Sequence, residues 1–237
     1  MKIPKPAALF AVTAIVASSA QGALTFPYTE DFSSGSEGMN MSPLSDSLAF
    51  NGFTYSVDGT GGVAIFDVAG FLAPSSLGNF DGLGVIGDWQ WSGTTTHNVH
   101  TFSVSSDGNT TFALTSLDWA TGNAGPPTLY TITGYNGLIE VARVENVDLM
   151  FAGTYGASTG SEIVATDIGP GDGSAYGLNL AFSGSDWGNI DRFEFTATGN
   201  DIVVALDNIE FSAAVPEPSA AILVLGAGAL GLGFRRR

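Results

Sequence analysis

Residues 176–182 read YGLNLAF, in which large apolar side chains alternate with small or polar ones at every step. Successive side chains of a β-strand point to opposite faces, so a period of two predicts a strand with one buried face. Residues 193–197 repeat this alternation in the letters FEFTA. Both segments therefore indicate β structure that packs one face against a core.

Turn residues divide the rest of the chain into short apolar runs. Asn136-Gly137 predicts a hairpin, because Asn-Gly tolerates the positive φ angles of a type I′ turn, and Asn51-Gly52 predicts a second one. Further strands are expected at residues 63–68, 99–104, 112–119 and 202–211. The chain has no cysteine, so the core alone must stabilise the fold. We predict one all-β domain over residues 23–214, an antiparallel β-sandwich.

The N-terminus has the three parts of a secretory signal peptide. Lys2 and Lys5 supply positive charge, residues 7–17 are apolar, and small residues follow up to Gly22. We expect a signal peptidase to cut after Gly22, with Ala20 as the second choice, which assigns residues 1–22 to the signal peptide. The mature protein is then exported across the inner membrane.

The C-terminus, residues 215–237, has the composition of a sorting tail. An apolar, uncharged span covers residues 220–234, and it predicts a transmembrane helix although it is shorter than the roughly 20 residues that cross a bilayer comfortably. The arginines after it are expected to stay in the cytoplasm. The motif residues on the two sides of the span are Pro216, Glu217, Pro218, Arg235, Arg236 and Arg237.

In the order of these parts, the tail resembles the PEP-CTERM sorting signal. The resemblance implies an exosortase, a membrane enzyme that cuts near the Pro-Glu-Pro motif, as a processing partner beside signal peptidase. It also implies a diderm bacterium that produces exopolysaccharide. We therefore expect the protein in the envelope, at the cell surface or in the extracellular matrix.

Between these ends, the domain is strongly acidic. It has 22 acidic residues and only two basic ones, Arg143 and Arg192, which gives a net charge of about −20. Such a charge repels nucleic acid and anionic lipid, so we expect no nucleic-acid partner.

Carboxylates interrupt the apolar pattern of the first and last predicted strands. Glu30 alternates with Tyr28 and Phe32, and Asp207 alternates with Ile209 and Phe211, although the apolar residues at 202, 204 and 206 leave the inward face of the last strand open. These two segments resemble bacterial jelly-roll domains of the carbohydrate-binding-module type. The resemblance implies a jelly-roll-like sandwich whose first and last strands lie side by side.

A carboxylate that faces a core costs several kcal/mol unless it is paired, and only two arginines are available. We predict a structural Ca²⁺ held by Glu30 and Asp207, with Asp31 as a further oxygen ligand. The alternative is that these carboxylates point outward at the strand ends.

Trp89 and Trp91 fall on one face of any extended segment. Aromatic rings stack on sugars but also fill sandwich cores, so a glycan-binding platform and core packing both stay open for them. Our leading hypothesis is an envelope-displayed module that interacts with extracellular polysaccharide and is not an enzyme, since no compact acidic motif lies on one strand. The alternatives are a glycan-active enzyme, a glycoside hydrolase or lyase, and a purely structural matrix protein.

Overall fold

The computed structural model describes residues 24–36, 39, 45–58, 62–67, 83–87, 101–121, 129–157, 160–169, 176–197 and 204–215. The predicted signal peptide, the Pro-Glu-Pro residues 216–218, the predicted transmembrane span and the terminal arginines lie outside the described residues, as do Trp89 and Trp91.

Within the described ranges, the chain forms fourteen strands and two short 3-10 helices, η1 (Asp107–Asn109) and η2 (Ser185–Gly188). The strands are β1 (Tyr28–Glu30), β2 (Ser47–Phe50), β3 (Phe53–Val57), β4 (Val63–Asp67), β5 (Leu83–Gly87), β6 (Thr101–Ser106), β7 (Phe112–Thr121), β8 (Leu129–Asn136), β9 (Ile139–Asp148), β10 (Gly153–Ala157), β11 (Ser161–Asp167), β12 (Tyr176–Ser183), β13 (Arg192–Ala197) and β14 (Val204–Ala213).

The strands form two antiparallel sheets. The eight-stranded sheet has the order β10-β11-β12-β7-β14-β5-β4, and β1 pairs with β14 beside this path. The six-stranded sheet has the order β2-β3-β6-β13-β8-β9. The chain crosses from one sheet to the other repeatedly, for example from β6 to β7 to β8. These sheets confirm the predicted all-β antiparallel fold and the pairing of the first strand with the last.

Aromatic rings from the two sheets meet in one shared core. Phe53 of β3 stacks on Phe211 of β14 with 4.3 Å between ring centroids, and Trp119 of β7 packs edge-on against Tyr130 of β8 at 5.9 Å. Burying an apolar side chain of this size stabilises a fold by roughly 1.5–3 kcal/mol. Contacts of this kind hold the two sheets together without any disulfide.

Two hairpin turns use Asn-Gly in different ways. Asn51 and Gly52 both have positive φ angles, 49° and 85°, between the paired Phe50 and Phe53, as a type I′ turn requires. In the other hairpin, Asn136 pairs with Ile139, so the loop is Gly137 and Leu138, and only Gly137 has a positive φ, 60°. This is the type II′ pattern, with glycine first, instead of the predicted type I′ turn. The one-residue shift places Leu138 at the tip.

A β-bulge in β14 interrupts the alternation of apolar residues that the sequence predicts for the last strand. Leu206 pairs with the buried Trp119 and Asp207 pairs with Asp118, but the register shifts between Asp207 and Glu210. Asn208 takes up the extra residue with a φ of 47°. Leu206 therefore faces the core before the bulge and Ile209 faces it afterwards. Asp207 does not share the face of Ile209 that the uninterrupted pattern predicts.

Candidate functional site

Glu30 is buried in the interior, with 1% of its surface exposed. Its Oε2 accepts a hydrogen bond from the Tyr28 hydroxyl (2.8 Å), and its Oε1 accepts from the Phe32 backbone N–H (2.9 Å) and from the Asn51 amide (3.3 Å). Burial raises the pKa of Glu30 above its ordinary value, although these three hydrogen bonds act in the opposite direction. Glu30 therefore meets the expectation of a carboxylate on an apolar face.

The other two predicted calcium ligands occupy different surroundings. Asp31 is exposed, and hydrogen bonds from Ser33, including its backbone N–H at 3.0 Å, lower the pKa of its carboxyl. Asp207 is buried, with 2% exposure. Glu30 pairs with Ile209 across β1 and β14 and shares its inward face, whereas Asp207 pairs with Asp118 on the opposite face of the sheet, before the bulge. In the described part of the chain, no group of three or more His, Cys, Asp or Glu side chains is arranged to hold a metal. Calcium at these residues stays a prediction.

A row of acids and amides crosses three strands of the eight-stranded sheet. Asp118 of β7 lies between Asn179 of β12 and Asp207 of β14 in the register. The amides of Asn179 and Asn208 donate to the two carboxylate oxygens of Asp118, at 2.8 and 3.0 Å. The Asn208 backbone N–H donates to Asp207 at 2.8 Å. Sequence reasoning missed this row, because nothing in the sequence says which strands are neighbours.

The outward face of the six-stranded sheet is covered by polar side chains, and we call it the polar face. The strands β6 and β13 alternate buried residues, apolar except for Ser106, with partly exposed polar ones. Pairing aligns the polar positions of neighbouring strands into ranks across the sheet. The first rank is Thr54, Ser105, Arg192, Tyr135 and Glu140, the second is Ser56, Ser103, Glu194, Thr133 and Arg143, and the third is Thr101, Thr196 and Thr131. Of these, Thr133 is buried.

Three side chains interact at the centre of the polar face. The guanidinium of Arg192 lies over the Tyr135 ring, 4.2 Å from its centroid, and Arg192 Nε is 3.1 Å from a carboxylate oxygen of Glu194. Burial raises the pKa of Tyr135, and the nearby Glu194 carboxylate adds to this effect. The arrangement holds an aromatic ring, a planar cation and a carboxylate in fixed relative positions on a surface of hydroxyl groups.

Both arginines of the domain belong to this face. Arg143 forms ion pairs with Glu140 (3.2 Å) and Glu145 (2.7 Å), and all three side chains are well exposed. Exposed pairs of this kind stabilise a protein by no more than about 1 kcal/mol. The described cations thus lie on the six-stranded sheet, whereas Glu30 and the Asp118 row are associated with the other sheet.

No helix in the described ranges has the length and apolar character needed to span a membrane. No curated protein and no solved structure matches the chain. A family model does match its C-terminus: residues 214–237 fit the PEP-CTERM protein-sorting motif. This match confirms the sorting signal predicted from Pro216, Glu217, Pro218 and the terminal arginines. Residues 214–237 therefore form a PEP-CTERM sorting motif, and this motif supports secretion, sorting by an exosortase and a place in the bacterial envelope.

Proposed function

We propose that this protein is displayed at the bacterial surface and binds neutral extracellular polysaccharide through its polar face. The signal peptide directs export, and the apolar span holds the domain at the membrane until an exosortase cuts near the Pro-Glu-Pro motif. The observation that carries the binding proposal is the alignment of hydroxyl groups around Tyr135, Arg192 and Glu194 on one sheet.

The chemistry of the polar face suits sugars. A saccharide presents hydroxyl groups that both donate and accept hydrogen bonds, and apolar C–H patches that stack on aromatic rings. Serine and threonine hydroxyls can donate or accept, carboxylates accept, and a guanidinium donates from a rigid fork. The domain's charge of about −20 disfavours an anionic polymer, so a neutral polysaccharide is the ligand we propose.

We further interpret the two sheets as a jelly-roll-like sandwich, since strands alternate between the sheets and the first strand lies beside the last. Folds of this architecture include binding modules as well as enzymes, so the fold alone does not assign an activity. We propose binding without catalysis. Release of reducing ends from a bound polysaccharide would favour a glycan-active enzyme instead, and neither binding nor release would favour a structural matrix protein.

The first prediction concerns Tyr135 and Glu194. We expect Tyr135→Ala and Glu194→Gln each to weaken polysaccharide binding, because the first removes the stacking ring and the second removes a charged acceptor. For the ring, a loss of about 1 kcal/mol corresponds to a roughly fivefold increase in Kd. Affinity electrophoresis in gels that contain β-glucan, xylan or mannan measures the change.

Glu162→Gln is the matched control for the Glu194 variant. Glu162 lies on the outward face of β11 in the other sheet, where it accepts a hydrogen bond from Ser183 at 3.1 Å. We expect this variant to bind as the wild type does. Equal weakening in the Glu162 and Glu194 variants, or a melting temperature that falls together with binding, would contradict a binding role for the polar face.

The second prediction concerns the two ends of the chain. We expect the protein purified from its own bacterium to begin at Ala23 and to lack Arg235, Arg236 and Arg237, because each terminus is a processing signal. Intact-mass spectrometry of the native protein measures both cuts. Deletion of the exosortase should restore the mass of the tail, and a wild-type protein that retains the arginines would contradict cleavage.

A further inference from the structure

A short segment, residues 188–191, connects the end of the domain to one hairpin turn. The Val215 backbone N–H donates to the Gly188 carbonyl at 2.7 Å, and Val215 is the last residue before the Pro-Glu-Pro motif. The Asn136 amide donates to the Asn189 carbonyl at 3.1 Å, and the Gly137 N–H donates to Asp191 Oδ2 at 2.8 Å. The β8–β9 turn and the start of the sorting tail are thus held at the same end of the molecule, which we call the stem end.

The β8–β9 turn presents two bare aliphatic side chains at the stem end. Leu138 is 95% exposed and Ile139 is 68% exposed. The type II′ turn explains the exposure of Leu138, because this residue occupies the second loop position, outside both strands. They are the two most exposed large hydrophobic side chains in the described part of the chain, and exposed apolar side chains that lie together mark contact surfaces more often than single ones do.

The length of the tail brings this turn close to the membrane. Four residues, 216–219, separate Val215 from the apolar span that begins at Ala220. An extended chain advances at most 3.3–3.6 Å per residue, so the start of the span lies within about 17 Å of Val215. While the span is in the bilayer, the stem end must face the membrane surface.

We infer that Leu138 and Ile139 contact the lipid bilayer while the tail holds the protein at the membrane. This inference rests on the proposed role of the tail. Exposed aliphatic side chains at an interface bury themselves at the boundary between headgroups and acyl chains, about 5–10 Å deep. The contact is apolar in character, because the acidic domain is repelled by anionic lipid and the nearby Glu140 is already paired with Arg143.

The lipid contact gives the membrane-held protein a second attachment. A span of 15 residues, 220–234, is shorter than a bilayer prefers, and stable anchoring commonly combines two weak signals. The β8–β9 turn provides this second membrane attachment only while the tail holds the domain at the bilayer. Cutting the tail leaves a two-residue contact that is too small to retain the domain, so release follows from cleavage.

The absence of cysteine from the chain permits a direct test with single labels. Leu138→Cys and Phe151→Cys are each coupled to an environment-sensitive fluorophore in the full chain, which is reconstituted into phosphatidylcholine vesicles. Phe151 is the matched control, because it is also an exposed apolar residue, at 60%, but it follows the other end of β9, about 30 Å from the turn. We expect a blue shift, and quenching by nitroxide-labelled lipid, at position 138 and neither effect at position 151.

The outcomes separate the inference from the function on which it rests. A chain that floats with the vesicles but shows equal signals at positions 138 and 151 would overturn the lipid contact alone. A chain that does not float with the vesicles would overturn the membrane-held tail and the inference together. Severing the tail at an inserted protease site should return the position-138 signal to that of the soluble protein.

Discussion

Replacing Gly184 by alanine is expected to lower the free energy of unfolding by at least about 3 kcal/mol, which is a large share of a domain's stability. Gly184 joins β12 to η2 with a φ of 101°, a conformation that residues with a side chain rarely adopt. An added Cβ would also overlap the carbonyl oxygen of Gly160. Both effects must be relieved by moving backbone.

The backbone around Gly184 has little freedom to move. The Gly160 carbonyl accepts a hydrogen bond from the Asp186 N–H at 3.4 Å, and Ser161 Oγ donates to Asp186 Oδ2 at 2.7 Å. Urea unfolding with an unchanged m value would measure the loss, which should appear as a fall in melting temperature of roughly 6–12 °C.

Gly108→Ala is the matched control. Gly108 also has a positive φ, 70°, but an added Cβ would meet nothing within 4 Å. Its substitution should therefore cost only the backbone strain, about 1–2 kcal/mol. Equal losses in the two variants would show that the close approach to Gly160 contributes nothing. The comparison also bears on the stem end, since Gly184 leads into η2, whose last residue, Gly188, holds Val215.

The sequence predicted those strands whose own residues alternate or are bounded by clear turn residues, but it did not predict β5, β10 or β11. The alternation in residues 176–182 and 193–197 corresponds to β12 and β13, in which buried and partly exposed positions alternate from Leu178 to Phe182 and along the whole of β13. Asn51-Gly52 likewise fixed its hairpin locally, since two adjacent residues with positive φ define the turn. Properties that depend on neighbours in sequence were accessible from the sequence.

Features that depend on pairing between distant strands were not accessible. The extra residue at Asn208 switches which residues of β14 face the core. The even-numbered alternation that contains Leu206 and the odd-numbered one that contains Ile209 are each inward on one side of the bulge only. Neither alternation alone therefore predicts the face of Asp207. The polar face is a second case. Each of its strands shows outward polar residues, but only the register places Arg192 between Ser105 and Tyr135. Trp89 and Trp91, the platform suggested by sequence, stay a prediction.

The stability of the domain is expected to respond to pH and to calcium through Glu30. Burial raises the pKa of this carboxyl, so the folded state binds its proton more tightly than the unfolded chain does. The stabilisation from the neutral form is complete below the ordinary glutamate pKa of 4.5 and is lost as pH rises through the raised value. The side chain in Glu30→Gln stays neutral at every pH. The free energy of unfolding of the wild type should therefore fall, relative to that of Glu30→Gln, as pH rises from 4.5 through the raised pKa of Glu30.

Calcium should reverse this loss if it binds as the sequence predicts. The cation coordinates the ionised carboxylate, so its effect should grow as pH rises through the same window. Binding to the folded state alone stabilises by about 2.7 kcal/mol at a free calcium concentration 100 times Kd. Melting curves at neutral pH, with calcium and with chelator, measure this difference.

Three variants locate the ion. If one ion is held as the sequence predicts, Asp207→Ala and Glu30→Gln each remove a ligand and both abolish the response to calcium. Asp118→Ala removes the buried carboxylate opposite Asp207, which shares the hydrogen-bond donor Asn208 with it, but replaces no predicted ligand, so it should keep the response if the ion is at Glu30 and Asp207. A response lost in the Asp118 and Asp207 variants but retained in Glu30→Gln would place the ion at the acid and amide row of the eight-stranded sheet. Superimposable wild-type melting curves with calcium and with chelator would contradict the predicted site. The buried carboxylate of Glu30 would then be stabilised by its hydrogen bonds from Tyr28, Phe32 and Asn51 alone.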